Sequence, residues 1–315
     1  MTQNTNRPSL LALCIRQVGN ELIAAECASL TGGVPAPDGV AVCATLEYVA
    51  QAAYVKTGLR LIAAAPTLPD LVEVVHQTAF DAQDFKIEVL RLSNRLDLHK
   101  RECEIALADA IRANPNLDVP QHRFLLVIRD EGLYLGEIVA ETASTYARHD
   151  RKPYRTSASL PSRIARAMIN LVAPPARSIL NLCCGSGSLL LEACALGLDA
   201  YGVDWNRRMV EMSRQNLAHF GYRATVERGD AREVARLADA VVADLPYGQR
   251  LVFSEAVVRD ILAHAARLAP VGVFAAGAEI TPWLAEAGYV DLRMYHVPKR
   301  AGLTRYVYRV QSRYF

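Results

Sequence analysis

The stretch Ile179-Leu-Asn-Leu-Cys-Cys-Gly185-Ser-Gly187-Ser-Leu-Leu-Leu-Glu192 decides the fold of the C-terminal half. An apolar run leads into a Gly-rich turn, and the turn leads straight into a helical pattern. Glycines there let the backbone approach a ligand closely, and the start of the helix offers free N–H groups. By itself, Gly-x-Gly fits a simple tight turn equally well. The surroundings narrow the reading. Short apolar runs at 178–183, 200–204, 224–227, 240–244 and 271–277 alternate with helical patterns at 187–196, 207–220 and 255–268. That alternation predicts an α/β unit, a parallel sheet with helices on both faces. Residues 289–296 and 305–311 predict an antiparallel pair closing one edge.

Acids sit at the ends of successive predicted strands, where the carboxyl edge of a sheet forms a crevice. Asp204, followed by Trp205, could accept hydrogen bonds from ribose hydroxyls. Asp230, followed by Ala231, could meet an adenine amino group. Each alone would be an ordinary surface charge; their order is what counts. A dinucleotide fingerprint would place a third glycine at 190, which is Leu190. A hydride-transferring dehydrogenase is therefore disfavoured.

The fourth strand ends in Val242-Ala-Asp244-Leu245-Pro246-Tyr247-Gly248. With the Gly185/Gly187 turn, this resembles the S-adenosylmethionine-dependent methyltransferases that act on amino groups, whose signature is an Asp or Asn, two prolines and an aromatic. The resemblance implies a Rossmann-like class I methyltransferase domain with S-adenosylmethionine as cofactor. The implied cofactor-binding residues are Asn181, Cys183, Gly185, Gly187, Asp204, Trp205, Asp230, Ala231 and Asp244, and the implied catalytic residues are Asp244, Pro246 and Tyr247. Two positions depart from the pattern: Leu245 replaces a proline and Asn181 an acid.

The loop chemistry is physically reasonable. The lone pair of an exocyclic base amine is delocalised into the ring, so the amine is a weak nucleophile. A carboxylate and a carbonyl accepting its two N–H groups favour a pyramidal nitrogen and stabilise the charge that develops. An aromatic such as Tyr247 would stack on a flipped base. Methylation at a pyrimidine carbon would need a Cys nucleophile, but Cys183 and Cys184 lie on the cofactor turn.

Lys+Arg 35 against Asp+Glu 33 gives a net charge of only +2, yet the charges are not evenly spread. Arg148, Arg151, Lys152 and Arg155 cluster before the methyltransferase-like unit, and Lys299, Arg300 and Arg305 near its end, with tyrosines interleaved. Either cluster could be a plain solvated face. Flanking one catalytic unit, they read as phosphate contacts plus base stacking on RNA.

The alternating strand 85–91, the helix that follows, Asn114-Pro-Asn and the hairpin 123–139 resemble the THUMP domain of RNA-modifying enzymes. Residues 1–75 are similar to the ferredoxin-like partner preceding it. The expected layout is an α+β ferredoxin-like domain at 1–75, THUMP at 76–141, a linker at 142–162 and the methyltransferase domain at 163–315. The lead-in Arg151-Lys-Pro-Tyr-Arg155 is similar to that of THUMP-linked tRNA guanosine N2-methyltransferases, the TrmN-like group. This implies methyl transfer to guanine N2 in tRNA, at position 6 ahead of position 10. The competing readings are an RNA-binding protein with a vestigial cofactor fold and an adenine N6-methyltransferase.

Composition sets outer bounds. A chain of 315 residues that is 51% hydrophobic is no disordered protein. Seven cysteines without a C-x-x-C pair predict neither a disulfide framework nor a structural metal. No apolar run approaches the roughly 20 residues that span a bilayer. A cytoplasmic monomer without metal or membrane partner is the expectation.

Overall fold

The structure, a computed structural model, describes residues 9–78, 82–246, 254–299 and 303–315. It divides into two compact units. One takes residues up to Arg16, Thr31–Ala50 and Val55–Thr142; the other takes Gln17–Leu30, Gln51–Tyr54 and Ala143–Phe315.

The first unit is one six-stranded sheet. Its strands are β1 (Leu10–Cys14), β2 (Val40–Cys43), β3 (Val55–Ala65), β4 (Phe85–Arg91), β5 (His122–Arg129) and β6 (Gly132–Glu141). They lie in the order β2-β1-β3-β6-β5-β4, with β4 and β5 running parallel. Helix α1 (Leu22–Thr31), between β1 and β2 in sequence, groups with the second unit up to Leu30. Helices α2 (Leu68–Gln77) and α3 (Lys100–Ala110) cover one face of the sheet. Strand β5 shows why both faces are apolar. Phe124, Leu126 and Ile128 pack with Leu71 and Leu107 of the helices, while Leu125 and Val127 pack on the other face with Leu11 and Leu59.

Helix α2 opens in a stretch, Pro66-Thr-Leu-Pro69, whose two prolines read as a turn in the sequence alone. Thr67 caps it by accepting from the Asp70 N–H at 3.3 Å, and a proline stands in the first turn. Proline is tolerated there because that N–H has no partner within the helix.

The second unit follows the predicted alternation. After α4 (Ser162–Asn170) come β7 (Ser178–Leu182), α5 (Ser188–Ala195), β8 (Asp199–Asp204), α6 (Arg207–His219), β9 (Thr225–Arg228) and β10 (Ala240–Asp244). Then follow α7 (Glu255–Ala265), β11 (Val271–Ala276), α8 (Thr281–Glu286), β12 (Tyr289–Pro298) and β13 (Thr304–Ser312). The sheet order is β12-β13-β11-β10-β7-β8-β9. Strands β9, β8, β7, β10 and β11 are mutually parallel, and β13 and β12 close the edge antiparallel. The chain moves outward from β7 through β8 to β9, then returns to place β10 on the other side of β7. Such a reversal opens a crevice at the carboxyl ends of β7 and β10.

The stretch expected to be a linker packs into this unit. Residues Thr145–Arg151 form a 3₁₀ helix in which Tyr146 and His149 are buried. His149 Nδ1 lies 2.7 Å from Glu192 Oε1, and Arg166 Nε donates to Glu192 Oε2 at 2.9 Å. Its anchoring groups are polar, so hydrophobic periodicity does not register them.

Glu26 performs a similar role for the two early segments. Fully buried, it accepts from the backbone N–H groups of Ala53 (2.8 Å) and Tyr54 (2.6 Å) and from Asn170 Nδ2 (2.7 Å). Glu26→Ala strands three buried donors at about 1–3 kcal/mol each. Urea unfolding of this variant, followed by tryptophan fluorescence, is expected to show a loss of roughly 3 kcal/mol or more.

Candidate functional site

The glycine turn after β7 is set by backbone geometry. Gly185 and Gly187 have φ of 56° and 84°, the left-handed region where a side chain is strained. A Cβ on Gly187 would sit 2.5 Å from Ser213 Oγ, whereas one on Gly185 would meet nothing within 4 Å. Gly187 thus secures the turn against α6, and Gly185 faces open space.

Asp204, at the end of β8, braces this turn. Its Oδ2 accepts from the Gly185 N–H at 2.8 Å and its Oδ1 from the Asn206 N–H at 2.9 Å. Burial raises its pKa, and the two N–H groups act in the opposite direction. Asn206 in turn caps α6, accepting from the Arg208 N–H at 2.9 Å.

Asp244 ends β10, and the Leu245 N–H is pinned to the Ala275 carbonyl at 2.9 Å. Among the described residues, Asp244 Oδ1 is buried with no hydrogen-bond partner. Burial pushes its pKa up to about 6, against the pull of Arg305 and Lys299. Those two cations come from the β12–β13 hairpin, whose β13 lies beside β11.

These groups surround one cavity of about 1030 Å³. It gathers Cys183, Gly185, Asp204, Trp205, Asp244, Pro246, Lys299 and Arg305 from the sequence expectations. The volume suits a nucleoside-bearing cofactor with room beside it for a base. Trp205, 57% exposed, offers a ring face at its rim. The residues fit such a cofactor at the glycine turn and at Asp204, whose oxygens each keep a second lone pair for a ribose hydroxyl.

Several expected residues lie elsewhere. Asn181 is fully buried, and its amide donates to the Val242 carbonyl at 3.0 Å, bridging β7 and β10 away from the cavity. Asp230 is turned to Arg232, whose Nε and Nη2 reach it at 3.0 and 2.6 Å. This pairing holds its pKa below the usual carboxylate range. Ala231 packs into the core with Val234 and Val241. Lys152, read as a phosphate contact, is buried and donates to Ser188 Oγ at 2.6 Å, and its pKa is lowered by that burial. Arg305 is only 3% exposed and faces the cavity. Arg148, Arg151 and Arg155 are exposed, Arg148 lying over the Phe220 and Tyr222 rings. Tyr247 and Arg300 lie outside the described residues.

Sequence reasoning missed the loop Thr156-Ser-Ala-Ser-Leu-Pro161, which lines the same cavity with hydroxyls. Ser159 Oγ lies 3.0 Å from Ser186 Oγ in the glycine turn. A Thr/Ser run set among basic residues was the available signal. Burial and three nearby carboxylates push the Cys183 thiol up to about 12. It is a neutral packing group, not a nucleophile. Among the described residues, no group of His, Cys, Asp or Glu could hold a metal ion, and no helix is long and apolar enough to cross a membrane.

Known proteins share this organisation. Residues 149–268 match the family UPF0020, described as an RMKL-like methyltransferase domain. The chain is 30% identical over 197 residues to a tRNA (guanine(10)-N2)-dimethyltransferase of Methanothermobacter thermautotrophicus, covering 59% of this chain and 58% of that protein. It is 39% identical over 105 residues to the enzyme of the same name from Pyrococcus abyssi, covering 31% of this chain and 32% of the relative. The match thus spans less than two thirds of either relative's length. The crystal structure of TrmN from Thermus thermophilus superposes with a TM-score of 0.52 at 20% identity, covering 96% of this chain and 99% of that one. The fold is Rossmann-like, of the class I methyltransferase type.

Gly187→Ala forces a Cβ into the left-handed region, at a cost of about 1–2 kcal/mol, and against Ser213. Thermal unfolding and calorimetry with S-adenosylmethionine are expected to show lower stability and weaker binding together.

Proposed function

We propose that the chain is a tRNA methyltransferase that transfers a methyl group from S-adenosylmethionine to the exocyclic N2 of a guanosine, giving N2-methylguanosine. One observation carries this reading: Asp244 stands at the end of β10, on a cavity of cofactor size, with a buried carboxylate oxygen that has no partner among the described residues. Support comes from the glycine turn braced by Asp204 and from the tRNA guanine N2-methylating relatives. The proposal extends to residues 76–141 as a THUMP-type RNA-binding unit after a ferredoxin-like segment at 1–75. Position 6 of the tRNA is the preferred target, with position 10 next. The seven free cysteines suit a reducing compartment, and the cytoplasm is the proposed setting.

S-adenosylmethionine, when bound, supplies an electrophilic methyl group on a sulfonium centre. The glycine turn, Asp204 and Trp205 would hold its adenosine portion. The hydroxyls of Thr156, Ser157 and Ser159 would meet its polar end. Asp244 accepts one N–H of the target amine, and the Leu245 or Pro246 carbonyl accepts the other. Together they orient the nitrogen lone pair and offset the positive charge that grows as the N–C bond forms. The proton lost from the methylated nitrogen passes to Asp244, whose raised pKa makes it a competent acceptor near neutral pH.

The decisive assay is nucleoside mass spectrometry after reaction with S-adenosylmethionine and unmodified tRNA. N2-methylguanosine is the expected product; N6-methyladenosine, or no methylation, would refute the proposal. Asp244→Asn keeps the shape and one acceptor but removes the charge, and is expected to lower kcat by at least a hundredfold while tRNA binding persists.

The pH dependence follows from the sign of the shift. The carboxylate works in its ionised form, which gains population as pH rises through about 6. The rate should climb on that limb and level off above it. Lys299→Gln removes a cation that favours ionisation, so its limb should move to higher pH.

A further inference from the structure

Beside the catalytic cavity lies a second cleft, of about 740 Å³, that the proposed chemistry does not use. Pro153, Tyr154 and Arg155 form one wall, and Asn206, Arg207 and Arg208 at the start of α6 form the other. Asn206 also lines the catalytic cavity, and Arg155 is followed directly by Thr156 of the cavity loop. The two openings are therefore adjacent.

The cleft is built, not incidental. Fully buried Asn216 accepts from the Tyr154 N–H at 3.0 Å and donates to the Tyr154 carbonyl at 2.7 Å. The same amide donates to Ser186 in the glycine turn at 2.9 Å. Tyr154 is thereby fixed to both α6 and the glycine turn, while the residue remains 43% exposed. Its mount is rigid and its ring is available for stacking.

The charges show the same purpose. Among the described residues, the guanidinium groups of Arg155, Arg207 and Arg208 have neither an ion pair nor a hydrogen bond, whereas Arg214, Arg228 and Arg309, also without an ion pair, are held by backbone carbonyls. The acid in the cleft, Glu211, is engaged by Gln215 Nε2 at 2.7 Å. Arg207 and Arg208 occupy the first two positions of α6, where the macrodipole disfavours cations, and no acid stands in that turn to offset them. An external polyanion would offset them.

Resting on the proposed tRNA reading, we infer that this cleft holds the RNA strand next to the target guanosine, with Arg155, Arg207 and Arg208 on its phosphates and Tyr154 stacked on the neighbouring base. Unpaired guanidinium groups match phosphate oxygens, and a rigid exposed tyrosine matches an unstacked base. The site reads backbone and stacking, so it positions the strand without selecting sequence.

The test is an Arg207→Ala/Arg208→Ala double variant of the full chain, with Tyr154→Leu as a second variant and Arg259→Ala as a surface control. Fluorescence anisotropy with unmodified tRNA is expected to show binding weakened about tenfold or more in the double variant. The slope of log affinity against log salt should become shallower by about 1.4, as for two lost single-strand phosphate contacts. KM for tRNA should rise while kcat and S-adenosylmethionine affinity hold. Removing the cations should leave Tm equal or higher, the opposite of what a structural role would give. Tyr154→Leu should weaken binding with the salt slope intact. Unchanged tRNA affinity in the double variant, or a selective loss of S-adenosylmethionine affinity, would overturn the inference. A wild-type protein that binds tRNA through these arginines yet yields no N2-methylguanosine would instead overturn the catalytic reading alone.

Discussion

The site depends on a single carboxylate that forms part of the scaffold. Asp204 takes the Gly185 N–H with one oxygen and the Asn206 N–H with the other. The first bond fixes the left-handed turn after β7, and the second fixes the entry to α6. The candidate cavity and the arginine cleft are thus tied together at Asp204, as they are at Asn216, which bonds both Ser186 and Tyr154. Burial raises the pKa of the Asp204 carboxylate, and the two backbone N–H groups favour its charged form by replacing lost water.

Asp244 presents the opposite case. Its buried Oδ1 lacks a partner among the described residues, and burial raises its pKa to about 6. Among the described residues, one carboxylate has both oxygens bonded and the other has a buried oxygen without a partner; their environments, not their chemistry, set them apart. Lys299 and Arg305 refine this balance, since they favour the ionised form without quenching it.

The sequence made most of the second unit legible, because β–α alternation is a local signal. The five parallel strands and the antiparallel edge pair lie within a few residues of their expected positions. Asp204 and Asp244 were legible for the same reason: they end strands. What could not be read depended on contacts distant in sequence. Asn181 looks like a cofactor residue from its place in the turn motif; its Nδ2 donates to the Val242 carbonyl between β7 and β10, while its buried Oδ1 has no partner among the described residues. Asp230 stands at a strand end, yet Arg232 two residues later captures it. Lys152 and Arg305 belong to basic stretches, but burial gives them inward tasks. Arg207 and Arg208 read as the ordinary start of a helix; only the facing Tyr154 and Arg155 give them meaning.

Glu26 carries a consequence for how the molecule is made. It and Asn170, which it bonds, are 144 residues apart in sequence. During synthesis the ribosome releases α1 long before α4 exists, so a buried carboxylate must wait in water for its amide partner. The second unit therefore cannot be completed in the order in which it is translated. Its earliest segment, α1, makes this contact only once α4 has emerged, so the Glu26–Asn170 bond is a late closure of the unit.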